Sequence, residues 1–273
     1  MTGFLADFEI SSEAGVLDNI NVFYGLGVRC MGLTYNSRNF IGDGAGERVD
    51  GGLSNFGYAV VDRMNQLGMI INLSHASNKT ALEAIEASNN PCALTHTVAG
   101  LSWYHKTRTD ELLKALAEKG GVIGLETIPN AMIDRRKTVD QRKRQGIWDL
   151  LDHIEYAIDL MGINHVCIGT DIGYNRGNDK ENRSARARRT NVPPDGRVWL
   201  GEPLGWEIPA IARQKPWSKT DPDWPYAEYF EGIYDPSEWP NITRGLVSRG
   251  YSDEEIRKII GLNALKLIET VVG

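Results

Sequence analysis

The chain has 273 residues and a net charge of −6, from 30 basic against 36 acidic side chains. That is length enough for one large α/β core, and it carries no electrostatic bias toward nucleic acid or an anionic membrane. Cys30, Cys92 and Cys167 are few and far apart within apolar runs, which points to buried free thiols in a reducing compartment. No apolar stretch approaches ~18 residues and no basic-then-apolar start is present, so the expectation is a cytoplasmic chain without membrane span or secretory signal.

Along the chain, strand-like and helix-like segments alternate. Residues 3–9 form the first expected strand, with Glu9 near its end, and residues 17–26 form a helix. A second strand, residues 27–36, leads to Tyr35 and Asn36, and a Gly-rich polar loop, residues 41–52, follows it. Ser54 can cap a helix over 56–67, where Val60, Val61, Met64 and Leu67 recur at helical spacing. Met69-Ile-Ile-Asn-Leu-Ser-His75 and Pro91-Cys-Ala-Leu-Thr-His96 are buried strands, each delivering a histidine to its carboxyl end, with a helix over 79–87 between them. A loop over 99–107 leads into an amphipathic helix, 110–118, that stops at Gly120-Gly121. Strand 122–126 ends on Glu126, helix 146–161 follows, and strand 164–171 ends on Asp171. Periodicity vanishes over 172–240, read as a long Trp- and Pro-rich surface excursion within a single domain, 1–273. The last helix opens at Ser252-Asp-Glu-Glu with a capping pattern and runs to about 270.

Polar residues therefore recur at strand ends: Glu9, Tyr35, His75, His96, Glu126 and Asp171. The intervals each allow one βα unit, which is how a (β/α) barrel assembles a site at one mouth. Two imidazoles and a carboxylate make a common hydrolytic zinc set, and a further carboxylate can take a proton from the metal's water. No phosphate-cradling glycine motif, GxSxG or HExxH competes with this reading. A lone histidine is more often a satisfied polar group than a ligand; two at adjacent strand ends, each after Ser or Thr, shift the balance toward a metal. Asp171 after Ile-Gly-Thr has a bland alternative as a turn cap. Glu126, before Thr-Ile-Pro129, reads as loop structure, and His105, His153 and His165 read as structural. The basic clusters at 135–144 and 183–189 read as solvated surface.

The stretches Leu33-Thr-Tyr-Asn36, Gly52-Leu-Ser-Asn-Phe-Gly57, Leu73-Ser-His-Ala-Ser77, Gly120-Gly-Val-Ile-Gly124 and Ile168-Gly-Thr-Asp171 resemble the membrane dipeptidase (renal dipeptidase) metallopeptidases. So do Trp239-Pro-Asn-Ile-Thr243 and Ile256-Arg-Lys-Ile-Ile-Gly-Leu-Asn263, so the resemblance spans nearly the whole chain in order. It implies an α/β fold, a TIM-like (β/α)8 barrel of the metallo-dependent hydrolase type. It also implies that Glu9, His75 and His96 are metal ligands and that Asp171 is the general base. Tyr35 is expected to polarise the reacting carbonyl, with Asn36 as a substrate contact and Arg108 as the nearest match to the substrate-carboxylate arginine.

The family's His-x-Asp strand, which supplies the other ligands of a first metal, has no counterpart in these residues. The expectation is a barrel lacking the first two βα units, with six strands and one zinc ion rather than two. The open side, between strands 3–9 and 166–171, is expected to be covered by the Trp-rich excursion or by a partner in a homo-oligomer. The leading expected function is zinc-dependent hydrolysis of a peptide or amide bond in a small, dipeptide-like substrate. Alternatives are a specialised member acting on a biosynthetic intermediate with altered chemistry, and a catalytically silent barrel acting as a binding subunit.

Overall fold

The computed structural model describes residues 13–102, 106–128, 131–138, 141, 145–171, 230–233 and 236–273. Within them five parallel strands lie side by side in sequence order: β1 (Cys30–Gly32), β2 (Ile70–Asn72), β3 (Ala93–Thr97), β4 (Val122–Leu125) and β5 (Val166–Ile168). Helix α1 (Glu13–Gly25) precedes β1, and α2 (Asn55–Leu67), α3 (Asn78–Ala87), α4 (Asp110–Glu118) and α5 (Ile147–Met161) connect successive strands. Such βαβ steps put every strand's carboxyl end on one rim. Across the sheet Met31 lies opposite Ile71, Asn72 opposite Ala93, Ala93 opposite Val122 and Gly124 opposite Cys167, and the β3–β4 register shifts between Leu94 and Thr97.

Three of the connecting helices start at a hydroxyl cap. Ser54 caps α2 by accepting from the Gly57 amide (2.9 Å), Ser77 caps α3 through Thr80, and Thr109 caps α4 through Leu112. Gly68 ends α2 in the left-handed conformation, φ 67°, which a side chain would resist. The apolar stripes of these helices, including Val60, Val61, Met64, Leu112, Leu113, Leu116, Leu150 and Ile154, pack with Ile71, Leu94, Ile123 and Leu125 to form the main core.

The opposite face of the sheet has its own cover. Alternate strand residues Ile70, Ala93, Val122 and Cys167 form a second buried cluster with Leu267 and Val271 of α8 (Asn263–Val271). These lie toward the amino ends of the strands, so α8 closes the end remote from the polar rim. The sequence reading assigned cover to the 172–240 excursion or a partner; residues 172–229, and the expected strand 3–9 with Glu9, lie outside the described residues. Of the excursion's end, Phe230 and Ile233 sit in the main core, and Glu231 exchanges backbone hydrogen bonds with Gln145 and Ile147, both 2.8 Å.

Three further differences have local causes. The expected strands are longer than the paired segments, because only three to five residues of each stay in ladder register before the chain bends into the rim. Pro240–Ser248, left unassigned by the sequence reading, is a helix, α6, with its proline in the first turn and Ile242 and Leu246 buried. The single terminal helix is α7 (Asp253–Arg257), a π-helical turn (Lys258–Leu262) and α8. The widened turn delivers Asn263 inward, where its amide nitrogen donates to Ile163 O (2.7 Å) and Val166 O (2.9 Å).

Candidate metal and active site

Five carboxyl-end residues meet on the rim: Tyr35 after β1, His75 after β2, His96 within β3, Glu126 after β4 and Asp171 after β5. Ser74 is the spacer that holds the two histidine strands together. Its hydroxyl donates to Asn72 Oδ1 (2.7 Å), lies 3.0 Å from Thr95 Oγ1 and accepts from the His96 amide (3.0 Å). The histidine rings consequently converge, with Nε2 to Nε2 at 2.9 Å. His75 Nδ1 donates to Asn36 Oδ1 (2.8 Å), which fixes the tautomer and turns the Nε2 lone pair toward His96. His96 Nδ1 is paired with Thr95 Oγ1 (3.1 Å). Burial, with the nearby Lys106 charge, pushes His96 down to about 4, so its ring is neutral at pH 7, the form that ligates metals.

Tyr35 stacks on His75, with ring centroids 4.1 Å apart and planes inclined by 23°, and is half-exposed. Burial, reinforced by the Asp171 and Glu126 charges, raises its hydroxyl above the ordinary tyrosine value, so it stays protonated and able to donate. Asp171 is exposed on the rim and, among the described non-glycine residues, alone takes a positive φ, 54°. Such strain concentrates at functional positions. It is sustained from below: the Thr127 amide and hydroxyl both donate to Thr170 O (3.0 and 3.2 Å), and the Gly169 amide donates to Leu125 O (3.0 Å). A Cβ at Gly169 would run into Thr95 O, so only glycine lets β5 approach the residue before His96 this closely.

Two residues expected to touch substrate sit lower. Asn36 is buried, with its side-chain oxygen on His75. Arg108 is fully buried, and its guanidinium donates to Ala76 O (2.6 Å), Leu73 O (3.3 Å), Ser74 O and Thr97 Oγ1 (3.2 Å), bracing the turn that carries His75. Their hydrogen bonds brace His75 and the turn that carries it.

The sequence reading passed over Lys106 and treated Glu126 as loop structure, yet they form an ion pair beside His96: Lys106 Nζ to Glu126 Oε2 is 2.7 Å, at 1% and 0% side-chain exposure. A bridge between Val98 and Thr107 extends β3, so Lys106 and Arg108, two residues apart, share one side and turn under the rim. Glu126 had a signal in its place at a strand end. Lys106 had none in a polar loop.

A carboxylate oxygen of Glu126, one of Asp171 and a ring nitrogen of His96 all lie within 4.8 Å of one another. Glu126 Oε1 has no hydrogen-bond partner, although it is buried. Imidazole nitrogens, carboxylates and an orphaned buried oxygen are the donor chemistry of a zinc-type ion, so the residues present fit a metal.

A parallel sheet with helices between its strands and metal-type donors on its carboxyl rim defines a barrel of the metallo-dependent hydrolase class. The chain belongs to the membrane dipeptidase family (peptidase family M19), whose profile matches residues 10–183. It is similar to dipeptidase verJ of Clonostachys rogersoniana, 26% identical over 266 residues covering 96% of this chain and 53% of that protein. It is also similar to dipeptidase aclJ of Aspergillus oryzae, 31% identical over 60% of this chain and 37% of that one. Among solved structures, an amidohydrolase from Pseudomonas aeruginosa superposes with a TM-score of 0.69 at 28% identity, covering 93% of this chain and 68% of that one. A metallopeptidase from Rhodobacter sphaeroides, liganded with a phosphinate mimic of L-Ala-D-Ala, has the same fold, with a TM-score of 0.66 at 22% identity over 93% of this chain and 59% of that one. The chain spans about half the length of the curated relatives it matches.

Proposed function

We propose that this chain is a metal-dependent hydrolase that cleaves a peptide or amide bond in a small, dipeptide-like substrate. The observation that carries the reading is the pair of imidazoles whose Nε2 atoms face each other at 2.9 Å on a rim that also bears Asp171 and Tyr35. Zinc suits these donors, with one ion per chain centred on His96, and when bound it supplies a water acidic enough to attack at neutral pH. The chain's residues do the rest. Asp171, exposed at the tip of β5, takes the proton of the attacking water and passes it to the leaving amine. Tyr35, protonated and stacked on His75, donates to the carbonyl oxygen as negative charge develops there. Asn36 holds the His75 tautomer and Arg108 holds the turn beneath it. Glu9 is a further proposed ligand, on the family resemblance.

Hydrolysis of a panel of dipeptides tests this, starting with L-Ala-D-Ala because the R. sphaeroides neighbour is liganded with a mimic of it. Zinc-loaded full-length chain should release free amino acids, and Asp171→Asn should lower kcat by roughly 10²–10⁴-fold. A folded, zinc-loaded chain that cleaves none of the panel, or one in which Asp171→Asn is as active as the parent, contradicts the assignment.

A further inference from the structure

The Lys106–Glu126 pair has no task in the hydrolytic scheme above. A buried ion pair is costly to assemble and is weak evidence of a stabilising role by itself. This one is also incomplete. Lys106 Nζ satisfies Oε2 (2.7 Å), while Oε1 is buried without a partner. A buried carboxylate oxygen with no donor demands a compensating contact, because desolvation without a hydrogen bond is unfavourable.

Other metal-type donors surround that carboxylate. Glu126 shares a 4.8 Å cluster of donor atoms with His96 and Asp171, one nitrogen and two oxygens, contributed by the ends of three adjacent strands, β3, β4 and β5. The Glu126 amide donates to Thr97 O (2.9 Å), which locks the backbone just past the end of β4. Lys106 holds the carboxylate by one oxygen and leaves the other for a single further bond, the arrangement by which an outer hydrogen-bond partner orients a ligating carboxylate.

We propose that Glu126 is a metal ligand, joining His96 and Asp171 around a divalent cation of the zinc type, with Lys106 as the residue that positions it. The proposal rests on the metal-hydrolase reading and deepens it by naming a ligand on β4. A purely structural ion pair would leave Oε1 unexplained, and its loss would lower stability without altering metal affinity.

The test is zinc affinity of the full chain, stripped with a chelator and titrated in competition with a chromophoric chelator, together with the visible spectrum of the cobalt-loaded protein. Glu126→Gln keeps the side chain's size and its contact with Lys106. It should weaken zinc binding at least tenfold and shift the cobalt ligand-field bands. Affinity within twofold of the parent, with an unchanged cobalt spectrum, overturns the proposal. Should Glu126→Gln fail to fold by circular dichroism, Glu126→Asp replaces it, since it keeps the charge but withdraws the oxygens by one methylene, and the same outcomes apply. His96→Ala separates the two readings: zinc lost there but retained in Glu126→Gln overturns the Glu126 ligand and leaves the hydrolase standing, whereas a parent chain that binds no zinc overturns both.

Discussion

The two ends of the same five strands are built to opposite rules. At the amino ends, Ile70, Ala93, Val122 and Cys167 are capped by Leu267 and Val271 of α8 in a buried apolar contact. At the carboxyl ends, a buried ion pair, an orphaned carboxylate oxygen, two facing imidazoles and an aspartate at φ 54° share one rim. The first arrangement lowers the free energy of the fold; the second raises it and keeps reactive groups in place. Substitutions at the two ends should therefore separate stability from chemistry.

The largest effect is expected at Asp171. Asp171→Asn should lower turnover about 10²–10⁴-fold while leaving the melting temperature unchanged or raised, because it removes a function and not a packing contact. Next, Lys106→Met strands Glu126 as a buried carboxylate. Loss of about 3–5 kcal/mol of stability in urea unfolding is expected, and an unaltered midpoint would show that Glu126 is not paired in solution. At the opposite end, Leu267→Ala should cost about 2–5 kcal/mol through lost burial and a cavity. Its zinc affinity should match the parent's; a large fall in zinc affinity would mean that the two ends are coupled.

A smaller effect concerns pH. His153 of α5 is fully buried with neither ring nitrogen hydrogen-bonded, and burial pushes it down to about 4. In the unfolded chain it titrates at about 6.5, so between roughly 6.5 and 4 the unfolded state binds more protons and stability is lost as the pH is lowered. Above about 6.5 its contribution is complete. Denaturation midpoints measured across this window should decline in the parent, and less steeply in His153→Leu; identical slopes would show that His153 does not carry the effect.

Much of this division was legible in sequence. Apolar runs closing on His75, His96 and Asp171 place those residues at strand ends, and the Ser54 helix cap follows from local hydrogen-bonding preference. What was not legible depends on contacts between distant segments. Arg108 lies 32 residues from the carbonyl of Ala76 that it braces, and Lys106 lies 20 residues from Glu126. Nothing local distinguishes either from a solvated loop charge. The π-turn before Asn263 has the same origin, because its reason is a pair of carbonyls about 100 residues away, at Ile163 and Val166.

The central claim is that the carboxyl rim holds a working metal on His96, and zinc stoichiometry addresses it most directly. Zinc titration of the full chain should give about one equivalent bound, abolished in His96→Ala with the circular dichroism spectrum retained. A parent chain that takes up no zinc, or a folded His96→Ala variant that binds it as tightly as the parent, would contradict the account.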